Sequence, residues 1–188
     1  ISSVSITEGP LVLEALSHGA QTYIQKPEMA RINDVKDDII ETLEEFALRP
    51  VTNKLREFTG EKKQFNHTDG IICIGSSTGG TQALQYILTS CPDEIPPIVI
   101  TQHIPAVFSK ALADRLNELC GFTVVEASDG DPINKNTVYI APGEKQFKIV
   151  SKSGKLFAEV NDDEPVNRFK PSVDYLFASI IKLKNVNT

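Results

Sequence analysis

The chain has 188 residues, and its 25 acidic against 19 basic side chains give a formal net charge of −6. This acidic balance argues against a nucleic-acid-binding protein, because such proteins usually carry a basic patch. No apolar run approaches the roughly 20 residues that a membrane-spanning helix needs. Neither a secretory leader nor a disulfide or CxxC pattern is recognisable. We therefore expect a cytoplasmic protein that is not embedded in a membrane.

The first 48 residues alternate between strand-like and helix-like patterns. They predict a short strand over 1–5, a helix between Thr7 and Gly19, a strand over 20–25 and an amphipathic helix over 28–47. This order is typical of a parallel α/β unit, but two strands do not make a domain alone. We expect that part of this domain precedes Ile1. Residues 49–69 are polar and charged, which favours a linker.

Residues 70–188 predict a second α/β domain. Strands are predicted over 71–74, 98–101, 122–127 and 137–141, with helices over 81–88 and 108–119. A hairpin over 146–150 and 155–160 follows, and then a helix that begins near Ser172. The apolar stripes of the last two helices are predicted to include Leu112, Leu116, Leu119, Val173, Leu176, Phe177 and Ile180.

The first strand of this domain runs into a glycine-rich turn that carries a serine. Gly75-Ser76-Ser77-Thr78-Gly79 fits G-x-S-x-G, the pattern that exposes a nucleophilic serine on a tight strand-to-helix turn. The pattern also fits an ordinary βα turn. A P-loop is disfavoured because Gly80 is followed by Thr81, and a dinucleotide fingerprint is disfavoured because position 77 is not glycine.

His103 follows the second strand as Ser77 follows the first. Neighbouring parallel strands end at the same edge of a sheet, so we expect the two side chains to come within hydrogen-bonding reach. Ser77 would then be the nucleophile and His103 its base, with the Thr78 N–H as an oxyanion donor. His103 as an ordinary polar residue at a strand end remains the alternative. His18 and His67 lack any such context.

A third group, normally an aspartate, is needed to orient the imidazole. The available carboxylates do not follow a convincing parallel strand; they are Asp129, Asp131, Asp162, Asp163 and Asp174. Asp129 and Asp131 are typical of a turn, and Asp174 is typical of a first helical turn. From these residues alone the triad is incomplete.

Four separated motifs, in order along the chain, strongly resemble the bacterial chemotaxis protein-glutamate methylesterase (CheB) family. They lie at 74–83, 101–103, 139–143 and 165–174. The resemblance implies an α/β fold with a doubly wound, mostly parallel, Rossmann-like sheet in a methylesterase domain over 70–188. It also implies that residues 1–48 are the carboxyl-terminal portion of a flavodoxin-like response-regulator receiver domain, joined through the linker 49–69.

The resemblance further implies an esterase that hydrolyses γ-glutamyl methyl esters of chemoreceptors and in some members deamidates receptor glutamines. Ser77 takes the nucleophile position and His103 that of the base, and Thr78, Gly79 and Gly80 form the active-site turn. No metal or organic cofactor is implied for the esterase. The partners would be methyl-accepting chemoreceptors as substrates and the chemotaxis histidine kinase as phosphodonor.

In the receiver portion, Ser2 matches the switch Ser/Thr, Tyr23 the switch aromatic, and Lys26 the lysine that contacts the phosphorylated aspartate. Phosphorylation would relieve the receiver's block of the active site. The phospho-accepting aspartate and the acidic pocket for Mg²⁺ are expected before Ile1, and the third catalytic aspartate beyond Thr188. Because loss of the orienting aspartate costs on the order of 10⁴ in kcat, we expect the 188-residue chain alone to be nearly inactive.

Two other functions stay open on the sequence: a nucleotide- or phosphate-binding module that uses the turn at 75–80, and a regulator with a dead esterase domain. Labelling of Ser77 by a covalent serine probe would favour the esterase, and thermal stabilisation by a nucleotide without labelling would favour the module. A natural protein without the third aspartate would favour the dead regulator. Arg168 and Lys170 would either bind an acidic receptor surface or lie on a solvated loop.

Overall fold

The computed structural model describes residues 69–183, a helix over 36–47, and positions 11, 12, 14, 15, 20, 23, 24, 26, 27, 64 and 65. The predictions for residues 1–5 and 28–35 and for most of 49–69 lie outside the described residues.

Leu11 to Ala15 is helical where described, as predicted. The strand predicted over 20–25 is wrong at its three described positions, Ala20, Tyr23 and Ile24, which are in no regular element. A strand needs a neighbour for its backbone hydrogen bonds, and no described strand pairs with them.

The predicted elements of the second half are present, with bounds close to those expected. In chain order the structure contains α1 (Lys36–Ala47), β1 (Ile72–Ser76), α2 (Gly80–Ser90), β2 (Ile98–Gln102), α3 (Ala106–Leu119), β3 (Thr123–Glu126), β4 (Thr137–Ile140), β5 (Gln146–Lys152), β6 (Lys155–Asn161) and α4 (Val173–Ile181). None of the described helices is long and apolar enough to cross a bilayer.

Four strands form a parallel sheet in the order β1-β2-β4-β3. The connection from β1 through α2 to β2 brings the carboxyl ends of these two strands side by side, as predicted. Their register pairs Ser76 with Gln102 at the last position of both strands. Strands β5 and β6 form a separate antiparallel hairpin, whose turn residues Ser153 and Gly154 have positive φ.

The sheet is packed on both faces. Apolar residues of α2 and α3 pack with alternate residues of β2, β3 and β4 in one cluster. Apolar residues of α4 and the hairpin pack with the intervening residues, such as Val99 and Tyr139, in a second cluster. Alternation along each strand sends successive side chains to opposite faces. The mainly parallel α/β fold predicted from the sequence is therefore confirmed for the described second half, whereas the receiver portion stays a prediction.

Two residues that we predicted to be buried in helical stripes are exposed. Leu119 is the last residue of α3 and is 46% exposed, because it lies past the turns that face the sheet. Phe177 is 38% exposed. Each helical residue is rotated about 100° from the one before it, so Phe177 faces away from the core that buries Leu176 and Ile180.

Candidate active site

The turn after β1 presents Ser77 at the carboxyl edge of the sheet. Strand β1 ends at Ser76, Ser77 is exposed, and α2 begins at Gly80. The N-cap Gly79 has φ of 75°, a left-handed conformation that costs glycine little. The Gly80 N–H donates to the Ser77 carbonyl oxygen at 2.7 Å, which closes the turn. The serine hydroxyl therefore stands at a sharp strand-to-helix junction.

His103 lies beside Ser77 on the neighbouring strand end. Its backbone N–H donates to the Ser76 carbonyl at 3.0 Å and so extends the parallel ladder by one residue beyond β2. Its Nδ1 is 3.3 Å from Ser77 Oγ. The two residues share a cleft with Thr78, Gln102, Ile104 and Phe108, which we call the active-site cleft. The structure thus brings together the nucleophile and base candidates as the strand order predicted.

The environment of His103 favours a neutral imidazole. Burial lowers its pKa below the ordinary value, and the negative charge of Asp174 opposes that shift. A neutral ring whose Nδ1 faces Ser77 accepts a proton there if its own proton is on Nε2. The Nε2 atom is buried, and nothing in the described part of the chain accepts a hydrogen bond from it.

Phe169 covers one face of the imidazole, a contact that the sequence did not predict. The two rings stack with centroids 4.1 Å apart and planes 6° from parallel. Phe169 belongs to a loop before α4 in which Asn167 and Arg168 have φ of 51° and 70°. Asn167 Nδ2 donates to Asp174 Oδ2 at 2.6 Å, tying the loop to the first turn of α4. The motif at 165–174 therefore packs against His103 through Phe169.

The candidate aspartates have different surroundings. Asp131 Oδ2 accepts from the Ser128 N–H at 2.8 Å within the turn over 128–131, as predicted. Asp129 lies in the same turn, but its Oδ1 accepts from the Val160 N–H of β6 at 3.0 Å. Asp163 accepts from the Tyr175 hydroxyl. Asp162 pairs with Lys145 and Lys170. Asp174 lies in the first turn of α4, as predicted, and its charge also acts on His103.

Gln102 is a second site residue, after Phe169, that sequence reasoning missed. Its side chain is buried at 3% exposure between the two strand ends. Ser76 Oγ donates to Gln102 Oε1 at 2.6 Å, and Gln102 Nε2 donates to the carbonyl oxygens of Ser77 and His103, each at 3.0 Å. The signal lies in the register that pairs Ser76 with Gln102, and a single sequence does not reveal that register.

Several other residues that the sequence singled out have no role in the chemistry proposed for the site. Lys170 Nζ donates to the carboxylate and the carbonyl of Asp162, which anchors its loop, while Arg168 is exposed. A Cβ on Gly143 would lie 2.4 Å from the Ala106 backbone, so the motif at 139–143 permits a close approach to the start of α3. Burial raises the pKa of the Cys73 thiol to about 11, so its thiolate does not compete with Ser77 at neutral pH.

The amino-terminal segment also reaches the active-site cleft. Val12, which is 4% exposed, and Tyr23 line it. The Tyr23 ring contacts Phe108 edge-on at 5.7 Å between centroids. Lys26 is exposed, and Ser2 lies outside the described residues. Within the described ranges, no group of three or more His, Cys, Asp or Glu side chains could hold a metal ion, so no residue here is assigned to Mg²⁺.

Comparison with known proteins gives concordant matches. The family model for CheB methylesterase matches residues 72–187. A Leptospira interrogans protein named protein-glutamate methylesterase/protein-glutamine glutaminase 3 is 37% identical over 203 residues, which cover 99% of this chain and 58% of that protein. A Hahella chejuensis protein named protein-glutamate methylesterase/protein-glutamine glutaminase 1 is 35% identical over 207 residues, which cover 100% of this chain and 56% of that protein.

The crystal structure of the Thermotoga maritima CheB methylesterase catalytic domain matches with a TM-score of 0.57 and 37% identity, over 60% of each chain. The chain thus spans little more than half the length of the curated relatives it matches. The resemblance inferred from the four motifs is confirmed by the family model, by the curated relatives and by this structure. The chain therefore belongs to the CheB methylesterase family.

Proposed function

We propose that the natural gene product hydrolyses γ-glutamyl methyl esters on chemoreceptors, releasing methanol, and that it also deamidates receptor glutamines. The observation that carries this proposal is the 3.3 Å approach of Ser77 Oγ to Nδ1 of a half-buried His103. Family membership and the printed names of the relatives support the substrate class. The cytoplasm, where the receptor's signalling helices lie, is the compartment in which the protein would act.

The acylation step follows from this geometry. His103 Nδ1 takes the proton of the Ser77 hydroxyl as its oxygen attacks the ester carbonyl. The carbonyl oxygen gains negative charge, and the Thr78 N–H would donate to it, since no described residue uses that N–H. The C–O bond to the methoxy group then breaks, and the imidazolium returns the proton to the leaving oxygen. The products are methanol and an acyl-serine.

Deacylation repeats these roles with water as the nucleophile. His103 takes a proton from the water that attacks the acyl-serine, and then returns it to Ser77 Oγ as glutamate leaves. In both steps the imidazolium is stabilised by the charge of Asp174, which faces His103 from α4. The buried Nε2 is the nitrogen that an orienting carboxylate of a Ser-His-Asp triad would contact.

We also propose that residues 1–48 belong to a receiver domain that controls access to the active-site cleft. The position of Val12 and Tyr23 on the cleft wall supports this arrangement. Phosphorylation of the receiver by the chemotaxis histidine kinase, with Mg²⁺ at the phosphorylation site, would shift the amino-terminal segment away from Phe108. The block would then be relieved without any change to Ser77 or His103.

Substitution of Ser77 tests the proposal. Ser77→Ala in the natural gene product should lower methanol release from methylated receptor membranes by about 10⁴-fold or more, because it removes the hydroxyl that lies 3.3 Å from His103 Nδ1. Ser151→Ala, which changes an exposed serine on β5, should leave the rate unchanged. A fluorophosphonate probe should label Ser77, as located by peptide mass spectrometry. Retention of full activity by Ser77→Ala would exclude this serine as the nucleophile.

A further inference from the structure

Gln102 bridges the backbones of the two catalytic candidates. One end of its side-chain amide lies 3.0 Å from both the Ser77 and the His103 carbonyl oxygens, and the other end lies 2.6 Å from Ser76 Oγ. Only a nitrogen can donate to two carbonyl acceptors, so the hydrogen-bond pattern fixes which end is the NH₂ group. The Ser76 hydroxyl then donates to the oxygen. Every polar atom of this buried amide is thus used.

The bridge sets the direction of the peptide group between Ser77 and Thr78. In a trans peptide the carbonyl oxygen and the following N–H point in opposite directions. The Ser77 oxygen is held towards the protein by Gln102 Nε2 and by the Gly80 N–H, at 3.0 and 2.7 Å. The Thr78 N–H must therefore point the other way. Because Thr78 lines the active-site cleft, an N–H pointing away from Gln102 would be available to a substrate bound there.

We propose that Gln102 is a positioning residue that aims the Thr78 N–H at the developing oxyanion. This inference rests on the proposed esterase function and assigns a new role within the same site. The amide holds the Ser77 carbonyl back, and the N–H on the far side of that peptide is presented to the substrate carbonyl. A donor that is already oriented stabilises the transition state without reorganisation at the moment of reaction.

The turn is built to admit this amide. A Cβ on Gly80 would lie 2.0 Å from Gln102 Oε1 and 2.9 Å from Ser76 Cβ. Any larger residue at position 80 would displace the amide that holds the Ser77 carbonyl. Position 80 therefore requires glycine so that the Gln102 amide can pack against the start of α2. Ser76, Gly80 and Gln102 form one supporting unit beneath the catalytic turn.

The experiment compares two substitutions of Gln102 with one at its neighbour, in the natural gene product. Gln102→Leu removes both donors, and Gln102→Glu keeps the shape but places an acceptor against two carbonyls. Thr101→Val changes a buried β2 side chain whose hydroxyl has no described partner. Methanol release from methylated receptor membranes gives kcat and KM, and thermal unfolding followed by circular dichroism confirms that each variant is folded at the assay temperature.

We expect both Gln102 variants to lose on the order of 100-fold in kcat, because an oxyanion donor is worth that much, with KM within about twofold of the parent. Thr101→Val should retain the parent kcat. Folded Gln102 variants with kcat within about threefold of the parent would overturn the proposal. So would a raised KM at unchanged kcat, which indicates ordinary ground-state binding.

If neither Gln102 variant folds, Ser76→Ala decides the question. It removes only the hydroxyl that fixes Oε1, and we expect roughly a threefold to tenfold fall in kcat at constant KM, as for the loss of one hydrogen bond. An unchanged kcat in that variant would overturn the proposal. Ser77→Ala is assayed in parallel: if it is inactive while Gln102→Leu is normal, only the role of Gln102 fails. If Ser77→Ala is active, the proposed function itself fails.

Discussion

Two opposing effects act on the pKa of His103, and residues of the loop and first turn at 165–174 contribute to both. Burial lowers its pKa and the charge of Asp174 raises it, with burial the larger effect. Phe169 covers one face of the ring, so the same motif that supplies the charge also contributes to the burial. Because its pKa is lowered, His103 is neutral at neutral pH, and the carboxylate of Asp174 stabilises the imidazolium when it forms. This balance makes the acid limb of the pH–rate profile sensitive to both residues.

Replacing Asp174 by asparagine should shift the acid limb of kcat/KM to lower pH. The carboxylate favours the imidazolium, so its removal lowers the pKa of His103 and the neutral base persists further into acid. The amide oxygen of the new residue still accepts from Asn167, which preserves the loop. The measurement is methanol release by the natural gene product across pH 5 to 8. An acid limb that moves to higher pH would contradict the assigned sign.

Replacing Phe169 by alanine should move the same limb in the opposite direction. Loss of the stacked ring exposes the imidazole, so its pKa rises towards the ordinary value and protonation begins at higher pH. We also expect roughly a threefold to tenfold lower kcat, the value of an aromatic stack. Phe177→Ala removes a similarly exposed ring from α4 itself and should leave the profile unchanged. Identical profiles for the Phe169 variant and the parent would show that the stack does not shield His103.

At the scale of secondary-structure elements, α4 packs closely against β1 because Gly75 has no side chain. A Cβ on Gly75 would lie 2.3 Å from Val173 Cγ1, so the Val173 side chain or one of the two backbones would have to shift. Gly75→Ala should therefore destabilise the fold by about 1–3 kcal/mol, as overpacking does. Urea unfolding followed by circular dichroism measures this. Adding Val173→Ala should restore part of the loss, and purely additive effects of the two substitutions would rule out the overlap.

The sequence predicted elements better than the contacts between them. An apolar run that ends at Gly75 located β1, and one that follows Pro97 located β2. Their order placed Ser77 and His103 at one edge. The register that pairs Ser76 with Gln102 and the fold of the loop that carries Phe169 depend on residues distant in sequence. Local periodicity carries no information about such pairings. For the same reason the exposed Phe177 and the buried Leu176, adjacent in α4, were not told apart.

At the scale of the whole molecule, the nucleophile and its base are assembled within a single βαβ unit. Ser77 and His103 follow β1 and β2, which are joined by α2 alone, so their approach needs no other part of the sheet. Another part of the cleft lining comes from more than fifty residues earlier in the sequence. It consists of Val12 and Tyr23, and the Tyr23 ring contacts Phe108 of α3. Under the proposed function, chemistry and access would thus depend on separate segments of the chain.

This separation predicts that access can be changed without altering the chemistry. Deleting residues 1–69 from the natural gene product should raise the basal rate of methanol release without phosphodonor by roughly 5-fold to 150-fold, the usual range of coupling between two parts of a protein. Tyr23→Ala should give a smaller increase, because it removes only the contact with Phe108. Leu11→Ala, which truncates an exposed side chain, should have no effect. Since Ser77 and His103 are untouched, the acid limb of the pH profile should stay where it is in all three variants. A basal rate that falls or stays constant after the deletion, in a protein that still unfolds cooperatively, would mean that the amino-terminal segment supports the cleft and does not restrict it.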